Sequence, residues 1–342
     1  MKRDNKVGYS LFLFLSFVSL LLFSSLRSVL VGTDTRAYIF FWNSNDNFSA
    51  LIDKATLFSE FGFELLSYLT KYISNEYFDD SAVPFFMFIS LLVLVLTYSS
   101  ILKYSQHRVL CLFCFLMLGF YTFHFNGARQ AIAIAIFLFS LRYILSANLK
   151  KYLLCLFIGF LFHKSILICL PFYYFFRQPL TLRMVSMIVF ISVVMAFFIT
   201  YLVDVAAEFD QRYSSYADND FEGGGLISTV FYITMLLWLF FIKKVNKVNN
   251  KYYDISLLSM LIVSCVAAIS TSLNLNPSGI FRLAGYFSQF LIIGIPISIY
   301  SFNVGRTRLF IMALTIILML LYFYFTTTRF SNLAPYHFNL LI

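Results

Sequence analysis

Tyr152-Leu-Leu-Cys-Leu-Phe-Ile-Gly-Phe-Leu-Phe-His163-Lys164-Ser165-Ile-Leu-Ile-Cys-Leu-Pro171-Phe-Tyr-Tyr-Phe-Phe176 is the stretch whose reading decides the architecture. As one helix it is long enough to cross a bilayer, but His163 and Lys164 then lie at mid-depth, where an ionisable group is expensive. As two half-length pieces meeting at His163-Lys164, it enters and leaves the membrane on one side as a re-entrant hairpin. The choice fixes the sidedness of every loop that follows.

The surrounding chain sets the class. Of its 342 residues 61% are hydrophobic and only 12% charged, with 44 Phe and 23 Tyr, too little polar surface to cover a soluble domain of this size. The sequence therefore predicts an all-α polytopic integral membrane protein with a single transmembrane domain. The net charge of +9 follows membrane sidedness and is not a nucleic-acid footprint. Cys111, Cys114, Cys155, Cys169 and Cys265 all lie in apolar runs, so Cys111-x-x-Cys114 reads as small buried residues and not as a redox or metal motif.

Working outward, Lys2, Arg3 and Lys6 precede a run over 9–31 that is too long for a signal-peptide core, an uncleaved first span with a cytoplasmic N-terminus. An outer loop over 32–81 follows, within which 60–73 has helical spacing and is expected along the outer membrane surface. Spans are expected over 84–102, 109–123 and 131–145, then the 152–176 segment, then 184–203, 226–242, 255–273, 283–301 and 309–325. Two further outer segments are the acidic loop 204–225 and the tail 326–342.

Basic residues choose between the two readings of 152–176. With the hairpin, cytoplasmic segments carry 16 of the 25 Lys and Arg and only two acids, Asp4 and Asp254; the outer segments carry 9 bases and 14 acids. With a single span, Lys243–Lys251 and Arg306–Arg308 fall outside and the acidic loop falls inside. Orientation follows Lys and Arg, so the hairpin is preferred. About nine full spans plus a re-entrant hairpin result, with the C-terminus outside.

In that topology the polar residues that packing does not explain converge on the outer face. Phe123-His124-Phe125-Asn126-Gly127-Ala128-Arg129-Gln130 is central, because Asn126-Gly127 makes a turn that aims Arg129. Asp34, Tyr38, Glu60, His163, Lys164, Ser165, Glu208, Asp210, Arg212, Tyr213, Tyr216, Asn276, Arg282, Arg329, Tyr336 and His337 join it. A transporter is expected to hold ionisable groups near mid-depth with access from both sides; few lie deep in these spans. The pattern describes a membrane enzyme or binder with an outward-facing site. No motif for nucleotide sugars, a divalent metal or ATP is present.

Gly32-Thr-Asp34-Thr-Arg-Ala-Tyr38, Glu60-Phe-Gly62-Phe63-Glu-Leu-Leu66, Ala128-Arg129-Gln130, Phe162-His163-Lys164-Ser165 ahead of Pro171, Arg212-Tyr213-x-x-Tyr216, Arg282-Leu283 and Pro335-Tyr336 occur in this order. In that respect the chain resembles the EpsG-type, Wzy-like family of bacterial polysaccharide (O-antigen, capsule or exopolysaccharide) polymerases. The resemblance implies a glycosyltransferase without metal or other cofactor that polymerises polyprenyl-diphosphate-linked repeat units on the outer face of the cytoplasmic membrane, with a chain-length regulator as a potential partner. A lipid diphosphate leaving group needs cations, and the planar fork of arginine suits phosphate. Arg129 is the first choice, with Arg282 and Arg212 in support; His163, then Asp34, is the candidate base. Tyr38, Tyr213 and Tyr216 would meet sugar rings, and Glu60, His124 and Gln130 complete the binding set. Structural competitors exist for each: His163 and Ser165 as a helix cap, Asp34 paired with Arg36, Arg212 in a surface ion pair, Arg282 and Arg129 as interfacial anchors. The competing functions are a flippase or exporter of lipid-linked units, and an acyltransferase using His124 or His163.

Overall fold

The computed structural model describes residues 3–44, 47–53, 59–194, 225–272 and 277–339. Among these every regular element is a helix; an isolated bridge between Arg27 and Phe338 is the one strand-like pairing. Six helices are long and apolar enough to cross a membrane: Gly8–Ser25, Val83–Tyr104, Ala128–Leu145, Leu226–Val245, Lys251–Ser272 and Arg306–Arg329. The chain is an integral membrane protein.

The centre of the bundle is Ala128–Leu145, buried on nearly all sides by Val83–Tyr104, Leu149–Phe162 and Pro277–Ser288. Its Ala131, Ala133 and Ala135 let those neighbours approach closely, as small residues do in lipid, where packing rather than water exclusion holds helices together. At the periphery the order is reversed. Arg306–Phe325 exposes Leu309, Phe310, Ile317, Leu321 and Tyr324 and buries only Met319. Such a surface is untenable in water and unremarkable against acyl chains.

The backbone breaks where hydropathy alone sees continuity. The expected span over 283–301 is two helices, Phe281–Ser288 and Leu291–Tyr300, bent by 46°. Gln289 sits at the break and donates Nε2 to Ile134 O at 2.9 Å and Tyr286 O at 3.1 Å. The expected span over 109–123 is the shorter helix Arg108–Met117, a turn in which Gly119 adopts φ +77°, and the one-turn helix Phe123–Asn126. Of the expected span over 184–203, Leu182–Val194 is helical and 195–203 lie outside the described residues. The described residues give six full-length spans, or seven when the bent pair is taken as one, against nine expected for the whole chain.

The 152–176 segment is not one helix. Leu149–Phe162 ends at His163, which is extended (φ −158°, ψ 121°), and a 3-10 turn over Lys164–Cys169 leads to the short helix Phe172–Phe175. An unbroken helix would hold Tyr152 and Tyr173 about 30 Å apart; their ring centroids are 5.5 Å apart. Tyr152 also donates its hydroxyl to Cys169 O. The segment is a helical hairpin with His163 at its apex, and its arms meet at Gly159, where the Ile166 side chain fills the space that a Cβ would take.

The helix read over 60–73 runs Phe61–Tyr77. Its protein-facing side is Phe63 with Ser67, Thr70, Lys71 and Ser74, packed on Val83–Tyr104, while Leu69 and Tyr72 are exposed. The cysteines form no disulfide; Cys111, Cys114, Cys155 and Cys169 are buried.

Candidate active site

The site is assembled around the N-terminus of Ala128–Leu145. Asn126, just ahead of it, fastens three distant segments: Oδ1 accepts the Thr33 amide at 2.8 Å, and Nδ2 donates to Ser331 O at 2.9 Å. Gly32 makes this possible. Its φ of +98° suits glycine, and a Cβ there would stand 2.5 Å from Asn126 Oδ1. The chain then enters the helix Thr35–Asn43, whose Tyr38 hydroxyl accepts the Ala128 amide at 3.0 Å. That amide is one of the donors a helix start leaves without an intrahelical partner. Burial pushes the Tyr38 hydroxyl up to about 12, so it remains a neutral donor.

On one side of this point Glu60 binds two partners at once. Its Oε2 accepts Arg129 Nη1 at 2.7 Å and its Oε1 accepts His163 Nδ1 at 2.6 Å. Glu60 is 3% exposed; the Arg129 and His163 side chains keep 19% and 21%. Burial alone would raise the Glu60 carboxyl, but its hydrogen bond and charge interaction with His163, joined by those with Arg129, hold it well below the usual carboxylate range. Glu60 is therefore an anion. The Arg129 guanidinium packs against the stacked pair Phe41 and Phe63, 4.9 and 5.0 Å from their centroids, and its Nε is buried without a hydrogen-bond partner. An interfacial anchor would instead extend its head into water.

On the other side Arg282 Nη2 donates to Asp34 Oδ2 at 3.0 Å, and Gln130 Nε2 donates to Arg282 O at 2.8 Å. Asp34 pairs here with Arg282 and not, as its sequence neighbourhood suggested, with Arg36. This pair lines a cavity of about 670 Å³ together with Thr33, Asn126, Ser331 and Gln289 and with apolar side chains that include Val93, Phe115 and Ile134. The two groups occupy different faces of one helix: Ala131, Ile134 and Ala135 line the cavity, and Arg129 is turned from Ala131 by about 200°. Tyr38 feels Arg129 from one side and Asp34 and Arg282 from the other.

Asp34, Tyr38, Glu60, Arg129, Gln130, His163 and Arg282 are thus brought together from five separate segments. His124 is not among them. It is fully buried, its Nε2 lies 3.0 Å from Ser90 Oγ, and its ring packs on Tyr121 and Phe125. Ser165 Oγ lies 3.0 Å from the Tyr286 hydroxyl. In the tail, Tyr336 donates its hydroxyl to Phe23 O and stacks on the Phe23 ring, and His337 O accepts the Ser28 amide at 2.8 Å, so this is a docked strap. Glu208, Asp210, Arg212, Tyr213, Tyr216 and Asn276 lie outside the described residues.

Some participants gave no sequence signal as such. The Asn126 fastening joins segments more than 90 residues apart. Arg27 lies inside the first apolar run, 9–31, and is 1% exposed beside Phe86 and Phe125, 3.9 and 4.5 Å from their centroids, with Nη1 donating to Ser24 O.

No curated protein and no solved structure shows a significant match to the chain. One family does match, over residues 10–338, which is nearly the whole sequence. The chain belongs to the EpsG family.

Proposed function

We propose that this protein is a polysaccharide polymerase that lengthens glycans carried on a polyprenyl diphosphate, working on the outer face of the bacterial cytoplasmic membrane. Family membership supports the class of reaction. The observation that carries the assignment to residues is a single buried carboxylate, Glu60, holding an arginine and a histidine side by side.

The reaction needs those two groups. A hydroxyl of the acceptor repeat unit attacks the anomeric carbon of the donor glycan, and the C–O bond to the lipid diphosphate breaks with its electron pair leaving on the diphosphate oxygen. His163 takes the hydroxyl proton, and Arg129 meets the charge that develops on the departing diphosphate. Both are desolvated enough for these interactions to be strong and exposed enough to be reached. The cavity beside Asp34 and Arg282 offers a place for the second lipid-linked unit, with both polar and apolar side chains in its lining. Tyr38, between the two stations, orients the sugar that spans them.

The test uses cells lacking this protein, complemented with wild type or Arg129→Ala at equal membrane levels, with surface glycan resolved by length. The polymerase reading expects single repeat units and no ladder from Arg129→Ala. Loss of even single units from the surface would favour a flippase or exporter; an unchanged ladder would reduce Arg129 to a structural residue.

A further inference from the structure

We infer that Glu60 is a positioning residue that sets the tautomer of His163, presenting Nε2 as the proton acceptor; this rests on the polymerase reading for its chemical consequence. Three observations carry it. The two side chains are in direct contact, with Oε1 2.6 Å from Nδ1. Glu60 is almost fully buried, and its second oxygen is committed to Arg129. An ionised carboxylate has no proton to give and only accepts. The proton in the Glu60–His163 hydrogen bond must then sit on Nδ1, which leaves the lone pair of the neutral ring on Nε2.

The location of His163 makes this orientation matter. It sits at the apex of the hairpin in extended backbone, outside any helix that would fix the ring. Without a partner the imidazole could rotate about its χ angles and interchange its two nitrogens. With Nδ1 fastened, Nε2 makes no hydrogen bond among the described residues, and the side chain remains partly exposed. The carboxylate comes from the residue just before Phe61–Tyr77, so the orientation of the base is tied to a different segment of the fold. Carboxylates behind histidines serve the same end in metal and hydrolytic sites. Glu60 acts through its partners Arg129 and His163.

Glutamine is the informative replacement. It keeps the size of Glu60 and can still accept from Arg129, but its amide can donate to Nδ1 and so place the proton on Nε2. The expected result for Glu60→Gln is a fall in kcat of about 100-fold or more with KM nearly unchanged, since the amide oxygen still accepts from Arg129 and the main change falls on proton transfer. The assay follows lengthening of lipid-linked repeat units extracted from a strain lacking the protein. In a His163→Ala background, Glu60→Gln should add little, because the residue it positions is gone. A Glu60→Gln protein with wild-type kcat, or one that loses as much again in the His163→Ala background, overturns the inference.

A readout independent of catalysis separates this from failure of the polymerase reading. The chain has four histidines, so ¹⁵N spectra of histidine-labelled protein in bilayers are assignable with His163→Ala. At a pH where the ring is neutral, wild type should show His163 protonated on Nδ1, and Glu60→Gln should shift it towards the Nε2-protonated form. Protonation on Nε2 in wild type contradicts the inference whatever the protein polymerises.

Discussion

Replacing Arg129 by alanine takes the guanidinium from a carboxylate that is 3% exposed. Removing one partner of a buried ion pair costs about 3–5 kcal/mol when the remaining charge is left alone. Here Glu60 keeps His163 at 2.6 Å, and the Arg129 side chain retains 19% exposure, so the loss is at or just under the low end, about 2–3 kcal/mol. The lost contacts with Phe41 and Phe63 lie within that figure. Arg282→Ala is the control. Its pair with Asp34 leaves side-chain exposures of 36% and 29%, and such pairs contribute about 0–1 kcal/mol. Thermal unfolding of the purified proteins in one detergent should therefore show Arg129→Ala melting about 5 °C lower and Arg282→Ala close to wild type. Both should lose the glycan ladder. Equal melting points for the two variants, or a larger fall for Arg282→Ala, would refute the ranking of the two pairs and with it the choice of Glu60 as the buried centre.

Other consequences are open to measurement. The Glu60 carboxyl is depressed in the folded state, so it stabilises the protein above the ordinary glutamate pKa of about 4.3, and this contribution is lost as pH falls below that value; unfolding between about pH 5 and 3 should be less steep in pH for Glu60→Gln. Gly159→Val should push the hairpin arms apart against Ile166, lower stability by about 1–3 kcal/mol and shorten the ladder by displacing His163. Gly32→Ala places a Cβ against Asn126 Oδ1 at φ +98° and should cost about 1–3 kcal/mol, whereas alanine at Gly8, where nothing lies within 4 Å, should be silent.

Composition was enough to read the helical membrane class, because an apolar exterior such as that of Arg306–Phe325 leaves no other solvent. The hairpin was legible for a different reason: Lys and Arg distribution constrains the path of the chain even where hydropathy is ambiguous. The breaks at Gly119 and Gln289 were not, since a hydropathy window records composition and not backbone direction. In the site, residue types gave Arg129, His163, Asp34, Arg282, Tyr38, Gln130 and Glu60 as candidates, but not their pairing. Glu60 meets partners 69 and 103 residues away, and no local pattern encodes that. His124 shows the converse. It lies five residues before Arg129, but the one-turn helix Phe123–Asn126 directs its ring into the core towards Ser90.

The most direct test is reconstitution. Purified protein in lipid vesicles, supplied with single repeat units on their polyprenyl diphosphate carrier and with no nucleotide sugar, should produce a ladder of longer glycans and release one lipid diphosphate for each unit joined; His163→Ala in the same vesicles should leave single units. Units that cross the bilayer without lengthening would contradict the account and make the protein a transporter.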